Sequence, residues 1–209
     1  MARQELMTTE TLIIYSRYPE AGKTKTRMIP ALGAQKAAQL QRQMTEHTLD
    51  TARKLRSERQ INIEVHFAGG NQQLMTDWIG EDIQYIPQTN GDLGDRMNHS
   101  FTNAFNSSQR VVIIGIDCPD IDIQILNNAF DALQKKELVL GVAQDGGYYL
   151  IGLNKTVPQL FQNITWGTEK VLSQTKAIAQ TLNLNVEYLT TLSDVDRPED
   201  LPIWQKYIQ

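Results

Sequence analysis

Val111-Val112-Ile113-Ile114-Gly115-Ile116-Asp117-Cys118-Pro119-Asp120 is the stretch whose reading decides the fold. Its first six residues are mostly β-branched and carry no polar side chain, so they read as a buried strand, broken at Asp117, Pro119 and Asp120. A strand apolar on both faces belongs in a parallel sheet covered on both sides. Open parallel sheets bind ligands beyond the carboxyl ends of their strands, where Asp117 projects. A carboxylate there, backed by a rigid proline turn, suits a hard divalent cation that bridges to a diphosphate. Taken alone, such an aspartate is more simply a cap for the next helix.

Outward from this strand, short apolar runs alternate with longer amphipathic stretches. Residues 11–16 read as a buried strand. Ala37, Leu40, Met44, Thr48, Ala52 and Leu55 form one helical stripe over 34–57. Residues 61–67 alternate apolar and polar, which predicts a strand with one wetter face. A short helix over 74–79 and a short strand over 83–86, ended by Pro87, come next. The loop Asn90-Gly91-Asp92-Leu93-Gly94 precedes a helix over 96–105, and a further helix is expected over 122–134. Residues 138–143 and 148–153 are apolar runs around Asp145-Gly146-Gly147, a helix begins near Thr168, and 186–189 is the last strand. Pro198 opens a short terminal helix.

This alternation predicts a doubly wound, Rossmann-like α/β sheet with right-handed crossovers. The close pair around Asp145 suits an antiparallel excursion, so the expected sheet is mixed but mostly parallel. No repeat or linker is visible, and the whole chain, 1–209 with a core of about 11–204, is expected to be a single domain.

The 209 residues are 41% hydrophobic and 21% charged, as in an ordinary globular protein. A net charge of −4 argues against a broad nucleic-acid or anionic-membrane surface, though not against a local basic pocket. The single cysteine, Cys118, excludes an internal disulfide and fits a reducing compartment. No apolar run is long enough to span a bilayer and the first ten residues show no signal-peptide pattern, so the cytoplasm is expected. His47, His66 and His99 are scattered without zinc spacing, and each is expected at or near the surface.

Four loops at strand ends carry the candidate chemistry. Arg17-Tyr18-Pro19-Glu20-Ala21-Gly22-Lys23-Thr24-Lys25-Thr26-Arg27 holds four cations against one carboxylate, which suits a phosphate cradle or, equally, a solvated basic turn. It is not a P-loop, because Arg17 stands where that motif needs a glycine, and no Gly-x-Gly-x-x-Gly array is present. Gly91-Asp92-Leu93-Gly94-Asp95-Arg96-Met97 brings two glycines and Arg96 to a helix start, which suits anion binding or a plain cap. Asp145-Gly146-Gly147-Tyr148-Tyr149 is an acid-bearing turn, or simply a tight hairpin with Tyr148 and Tyr149 on alternate faces. In Ser193-Asp194-Val195-Asp196-Arg197-Pro198-Glu199-Asp200, the helix dipole explains Glu199 and Asp200, whereas Asp194 and Asp196 need another cation. Were the last strand beside the Asp117 strand, Asp196 would complete a metal site with Asp117, which has no cation beside it in the sequence.

Together these loops give a resemblance. From Thr11 to Trp204 the chain resembles the glycosyltransferase-A-like superfamily of nucleotide-diphospho-sugar transferases and nucleotidyltransferases. In particular it is similar to an uncharacterised bacterial transferase family related to phospholactate guanylyltransferases. The matching pieces are Gly22-Lys23-Thr24-Lys25-Thr26-Arg27, Gly91 to Met97, Ile114 to Asp120, Asp145 to Gly152, Trp166-Gly167-Thr168 and Asp194 to Leu201. The resemblance implies a metal-dependent transferase with a nucleotide or nucleotide-diphospho-sugar donor on the amino-terminal half and a small acceptor on the other.

On that resemblance Gly22, Lys23, Lys25, Arg27, Gly91, Asp92, Leu93, Gly94 and Arg96 bind nucleotide. Lys25 and Arg27 serve its phosphates catalytically, and Asp117 and Asp196 hold Mg²⁺ or Mn²⁺. Gly146, Gly147, Tyr148, Trp166 and Thr168 meet the acceptor, while Asp145 is a catalytic candidate facing acceptor, metal or proton. Arg197 replaces the threonine usual in the family's Asp-x-Asp-Thr-Pro-Glu-Asp ending. Asp117-Cys118-Pro119-Asp120 is also not the Asp-x-Asp pair of many sugar transferases. Nucleotidyl transfer of a guanylyltransferase type is therefore the alternative reaction, and a noncatalytic nucleotide-binding regulator on the same fold is the alternative of another kind.

Overall fold

The computed structural model describes residues 10–208. Its frame is a seven-stranded sheet in the order β3-β2-β1-β4-β6-β5-β7. The strands are β1 (Glu10–Arg17), β2 (Asn62–Ala68), β3 (Gln84–Pro87), β4 (Arg110–Ile114), β5 (Leu138–Ala143), β6 (Tyr148–Leu153) and β7 (Val186–Leu192). The β1–β2, β2–β3, β1–β4 and β5–β7 pairs are parallel, and β6 runs antiparallel to both neighbours. This is the mostly parallel, mixed α/β sheet that the pattern predicts, with the antiparallel excursion at the Asp145 hairpin.

The helices are α1 (Ile29–Leu32), α2 (Ala34–Glu58), α3 (Gln72–Ile79), α4 (Leu93–Ala104), α5 (Ile123–Ala132), α6 (Val171–Thr181) and α7 (Leu201–Trp204). Strand β4 shows why two layers of helix are needed. Val112 and Ile114 enter a core that includes Met44 and Leu49 of α2 and Leu126 of α5. Val111 and Ile113 enter a second core with Phe101 of α4 and Ala179 of α6. Alternation sends successive side chains to opposite faces, so a strand covered on both sides has no polar position.

Three expectations are corrected. Strand β2 has no wet face, because Glu64 and His66 are buried with their apolar neighbours. They are tolerated because they bond: His66 Nε2 lies 2.9 Å from Glu64 Oε2, and Nδ1 lies 2.7 Å from Ser100 Oγ. His66, 3% exposed, is thus an interior histidine rather than a surface one. The helix expected from Arg96 starts earlier. Asp92 caps α4 by accepting from the Asp95 N–H, Asp95 reciprocates, and Leu93 and Gly94 are already helical.

Candidate functional site

The loops at the carboxyl ends of β1, β4, β5 and β7 surround one cavity of about 500 Å³, lined by Arg27, Arg96, Asp117, Asp145, Tyr148 and Asp196 among others. Four carboxylates line it: Asp117, Asp145, Asp194 and Asp196. Strand β7 is not beside β4, since β6 and β5 lie between them. The chain after β7 returns across those strand ends instead, and the Val195 N–H donates to the Asp117 carbonyl at 2.8 Å. Asp117 and Asp196 reach one cavity by this loop and not by strand adjacency.

Asp117 also has the cation that its sequence surroundings lack. Lys25 Nζ donates to Asp117 Oδ1 at 2.7 Å and to the Val195 carbonyl. Lys25 takes a left-handed backbone conformation (φ 46°), which turns the chain there and opens the short 3₁₀ turn Thr26–Met28. Its side chain is 4% exposed against 52% for Asp117. Arg27 pairs with Asp196. The expectation of an Asp117 without a neutralising partner is therefore corrected: two basic residues of the first loop each hold one of the two predicted metal-site acids. Burial, and after it the neighbouring Asp145 carboxylate, push the Asp194 carboxyl above its usual range.

On the opposite flank Arg96 is fixed rather than free. Its Nε donates to the Asp92 carbonyl and its Nη1 to Gln88 Oε1, each at 3.0 Å, while Gln88 Nε2 donates to the His66 carbonyl. Tyr15 lies beside His66 with ring planes 18° apart, and its hydroxyl is 2.7 Å from Ser100 Oγ. A bonded chain thus runs from Glu64 through His66 and Ser100 to Tyr15 at the cavity wall.

Leu93, Arg96, Gly147, Trp166 and Thr168 line the cavity as well, but Gly22, Lys23, Gly91, Asp92, Gly94 and Gly146 do not, and Lys25 lies behind Asp117 rather than on the cavity wall. Gly22 is exposed, and Lys23 pairs with Glu20 in solvent. Gly91 has φ 112° where the chain turns into the Asp92 cap. Gly94 lets α4 pack closely: a Cβ there would come within 2.6 Å of the Phe161 carbonyl oxygen and 2.8 Å of the Trp166 ring. Gly146 turns the hairpin at φ 89° against the Glu169 backbone. Tyr149 is buried in the α2–α5 core and donates to the Thr190 carbonyl, while Tyr148 packs on the other face.

Cavity residues to which the sequence reading assigns no role include Tyr15, Gln41, Gln88, Gly115 and Asp194. Asp194 alone had a visible signal, an acid ahead of a helix with no local partner. Cys118 lies on the cavity wall yet is only 3% exposed, and burial, then Asp117, raise its thiol pKa well above the usual range.

The donor set suits a hard cation that substrate oxygens help to ligate, because Mg²⁺ sites use one or two carboxylates plus phosphates. Among the described residues no three His, Cys, Asp or Glu side chains group as an all-protein cage. The chain belongs to the bacterial family described as "uncharacterized protein conserved in bacteria (DUF2064)", whose profile matches residues 48–168. No curated protein matches the sequence.

Among solved structures, a Desulfovibrio desulfuricans protein provisionally designated a nucleotide-diphospho-sugar transferase is 31% identical, with a TM-score of 0.89 over 97% of this chain and 89% of that one. A CMP:2-keto-3-deoxy-manno-octonic acid synthetase complexed with CTP is 11% identical, with a TM-score of 0.62 over 96% and 98%. Rv0371c of Mycobacterium tuberculosis, in complex with manganese, is 14% identical, with a TM-score of 0.60 over 95% and 99%. These likenesses place the fold in the glycosyltransferase-A-like superfamily, and the two distant ones speak for the fold alone. No helix among the described residues is long and apolar enough to cross a membrane.

Proposed function

We propose that this protein is a divalent-metal-dependent transferase that uses a nucleotide or nucleotide-diphospho-sugar donor and a small acceptor. The observation that carries the reading is the pairing of Lys25 with Asp117 and of Arg27 with Asp196 around one cavity that Asp145 and Asp194 also line. Cations and acids interleaved in this way can exchange partners: a bound diphosphate draws Lys25 and Arg27 to its oxygens and frees carboxylate oxygens for Mg²⁺ or Mn²⁺. Asp117 and Asp196 would hold that ion, which when bound supplies charge stabilisation at the departing phosphate.

The chain's own residues do the rest. Lys25 and Arg27, once drawn from Asp117 and Asp196, meet the negative charge that develops on the donor phosphates. Arg96, held by Gln88 and Asp92, offers its remaining N–H donors to the nucleotide. Asp145, at the hairpin tip where its Oδ1 accepts from the Gly147 N–H, faces the acceptor and takes its proton. Tyr148, Trp166 and Thr168 bound the acceptor side.

A second reading, nucleotidyl transfer to a phosphorylated acceptor, draws support from the fold's likeness to a synthetase that binds CTP. A thermal-shift panel of nucleoside triphosphates and nucleotide sugars, each with and without Mg²⁺ and Mn²⁺, tests both readings. Metal-dependent stabilisation by one nucleotide sugar favours glycosyl transfer, and stabilisation by CTP or GTP alone favours nucleotidyl transfer. A panel in which no nucleotide stabilises the protein with either metal contradicts the proposal.

A further inference from the structure

Gly115 has neither of the usual physical reasons for being a glycine. Eight of the thirteen glycines have positive φ, and Gly115 is not among them. Of the five with ordinary φ, Gly94, Gly141, Gly147 and Gly152 would each bring a Cβ within 3.2 Å of a neighbour. A Cβ on Gly115 would meet nothing within 4 Å. What Gly115 spares is therefore space, and that space opens on the cavity it lines.

The space has a definite place. Gly115 continues β4, its N–H donating to the Tyr149 carbonyl at 3.1 Å. Val112, Ile114 and Ile116 face one core, and Val111 and Ile113 the other. Alternation thus puts the missing side chain on the Ile113 face, under α4 and α6. Register sets Tyr15 of β1 level with Gly115, since Ile14 pairs with Ile114. Tyr148 and Trp166, packed edge to face at 6.5 Å, belong to the same side, with Leu93 and Met97 of α4. All five of these residues line the cavity.

We infer that the absent side chain at Gly115 keeps open a pouch for an uncharged, largely apolar ring of the second substrate. Its walls are aromatic and aliphatic faces, which reward apolar contact and leave most sugar hydroxyls or a second phosphate without partners. Arg96 lines the same cavity, but Gln88 and Asp92 hold it and its remaining donors serve the nucleotide. The assignment to a second substrate rests on the transferase reading; the pouch itself rests on Gly115 and its neighbours.

The test uses acetophenone, a neutral ring with one carbonyl acceptor, and methyl glucoside as the polar ring, with binding followed by saturation-transfer NMR on the full chain. Wild type should bind acetophenone more tightly than methyl glucoside. Gly115→Leu should weaken acetophenone at least about tenfold and leave Mn²⁺–CTP or Mn²⁺–GTP affinity within about twofold. Gly115→Ala, the smaller plug, should weaken acetophenone by a lesser factor, and it decides the matter if the leucine variant does not fold. Acetophenone that fails to bind wild type, binds a folded Gly115→Leu equally well, or binds more weakly than methyl glucoside overturns the pouch. Nucleotide affinity lost together with acetophenone overturns its assignment to the second substrate. A Gly115-dependent acetophenone site in a protein that binds no nucleotide upholds the pouch and contradicts the transferase reading alone.

Discussion

Lys25 Nζ lies 2.7 Å from Asp117 Oδ1 across ninety-two residues of sequence. The contact joins the basic loop after β1 to the acidic end of β4, and the Val195 carbonyl, which accepts from the same ammonium, adds the loop after β7. One side chain thereby holds together the loops that follow β1, β4 and β7.

The first prediction follows from that contact. Lys25→Met keeps much of the aliphatic stem and removes the charge. A charge-assisted hydrogen bond contributes about 1.5–3 kcal/mol, so nucleotide affinity in the presence of Mn²⁺ should fall by about 10- to 100-fold. Isothermal titration with the nucleotide that stabilises wild type measures this, and unchanged affinity would remove Lys25 from the phosphate site.

Cys118 should be a wall and not a nucleophile. Burial raises its thiol pKa, and the nearby Asp117, Asp194 and Asp145 carboxylates raise it further. The thiolate needed for attack is therefore suppressed near neutral pH. The folded protein should resist iodoacetamide at pH 8 until denatured, and Cys118→Ser should retain transfer activity. Rapid alkylation of the native protein, or complete loss of activity with the fold intact, would contradict this role.

Stability should depend on acid through Glu10. Its side chain is buried at the start of β1 and bonds to Arg59 and Arg110. Burial alone would raise its pKa, but the two arginines outweigh burial and hold it below the usual glutamate range. A depressed carboxylate pKa means that the stabilisation is fully present above the ordinary glutamate range and is lost as pH falls through the folded-state value. Glu10→Gln should cost about 3 kcal/mol near neutral pH, the lower end for breaking a buried pair. The gap from wild type should narrow on acidification, as read by denaturant unfolding at several pH values, and a gap constant with pH would refute the linkage.

Gly94→Ala should destabilise although alanine is the better helix former. The helix gain is about 1 kcal/mol. The added methyl would meet the Phe161 carbonyl and the Trp166 ring at distances no real Cβ tolerates, so Trp166 must shift. A lower melting temperature with an altered near-ultraviolet tryptophan signal is expected. An unchanged signal with raised stability would show that Trp166 is not held by α4.

Much of the fold is legible in the sequence because periodicity reports burial. Residues 138–143 and 148–153 are β5 and β6 as read, and the stripe from Ala37 to Leu55 is α2. Strand β2 misleads because Glu64 and His66 satisfy each other and Ser100 inside the protein, a pairing that no alternation pattern encodes. The site divides in the same way. Residues that bear charge or break structure stand out, as Lys25, Arg27, Asp117, Asp145 and Asp196 do. Tyr15, Gln88 and Gly115 escape notice because an ordinary tyrosine, glutamine or glycine gains meaning only from its neighbours across the sheet. The Lys25–Asp117 pair is hidden for the same reason, since partners ninety-two positions apart are brought together by strand order alone.

The central claim is that Asp117 and Asp196 share one divalent ion with the donor's phosphates once Lys25 and Arg27 have moved to those phosphates. Titrating wild type, Asp117→Asn and Asp196→Asn with CTP and with GTP at several Mn²⁺ concentrations measures it most directly. The account predicts folded variants that each lose the Mn²⁺-dependent part of nucleotide affinity while keeping the metal-independent part. Variants that bind the Mn²⁺–nucleotide complex as tightly as wild type would contradict it, leaving the two aspartates as ion-pair partners of Lys25 and Arg27 and nothing more.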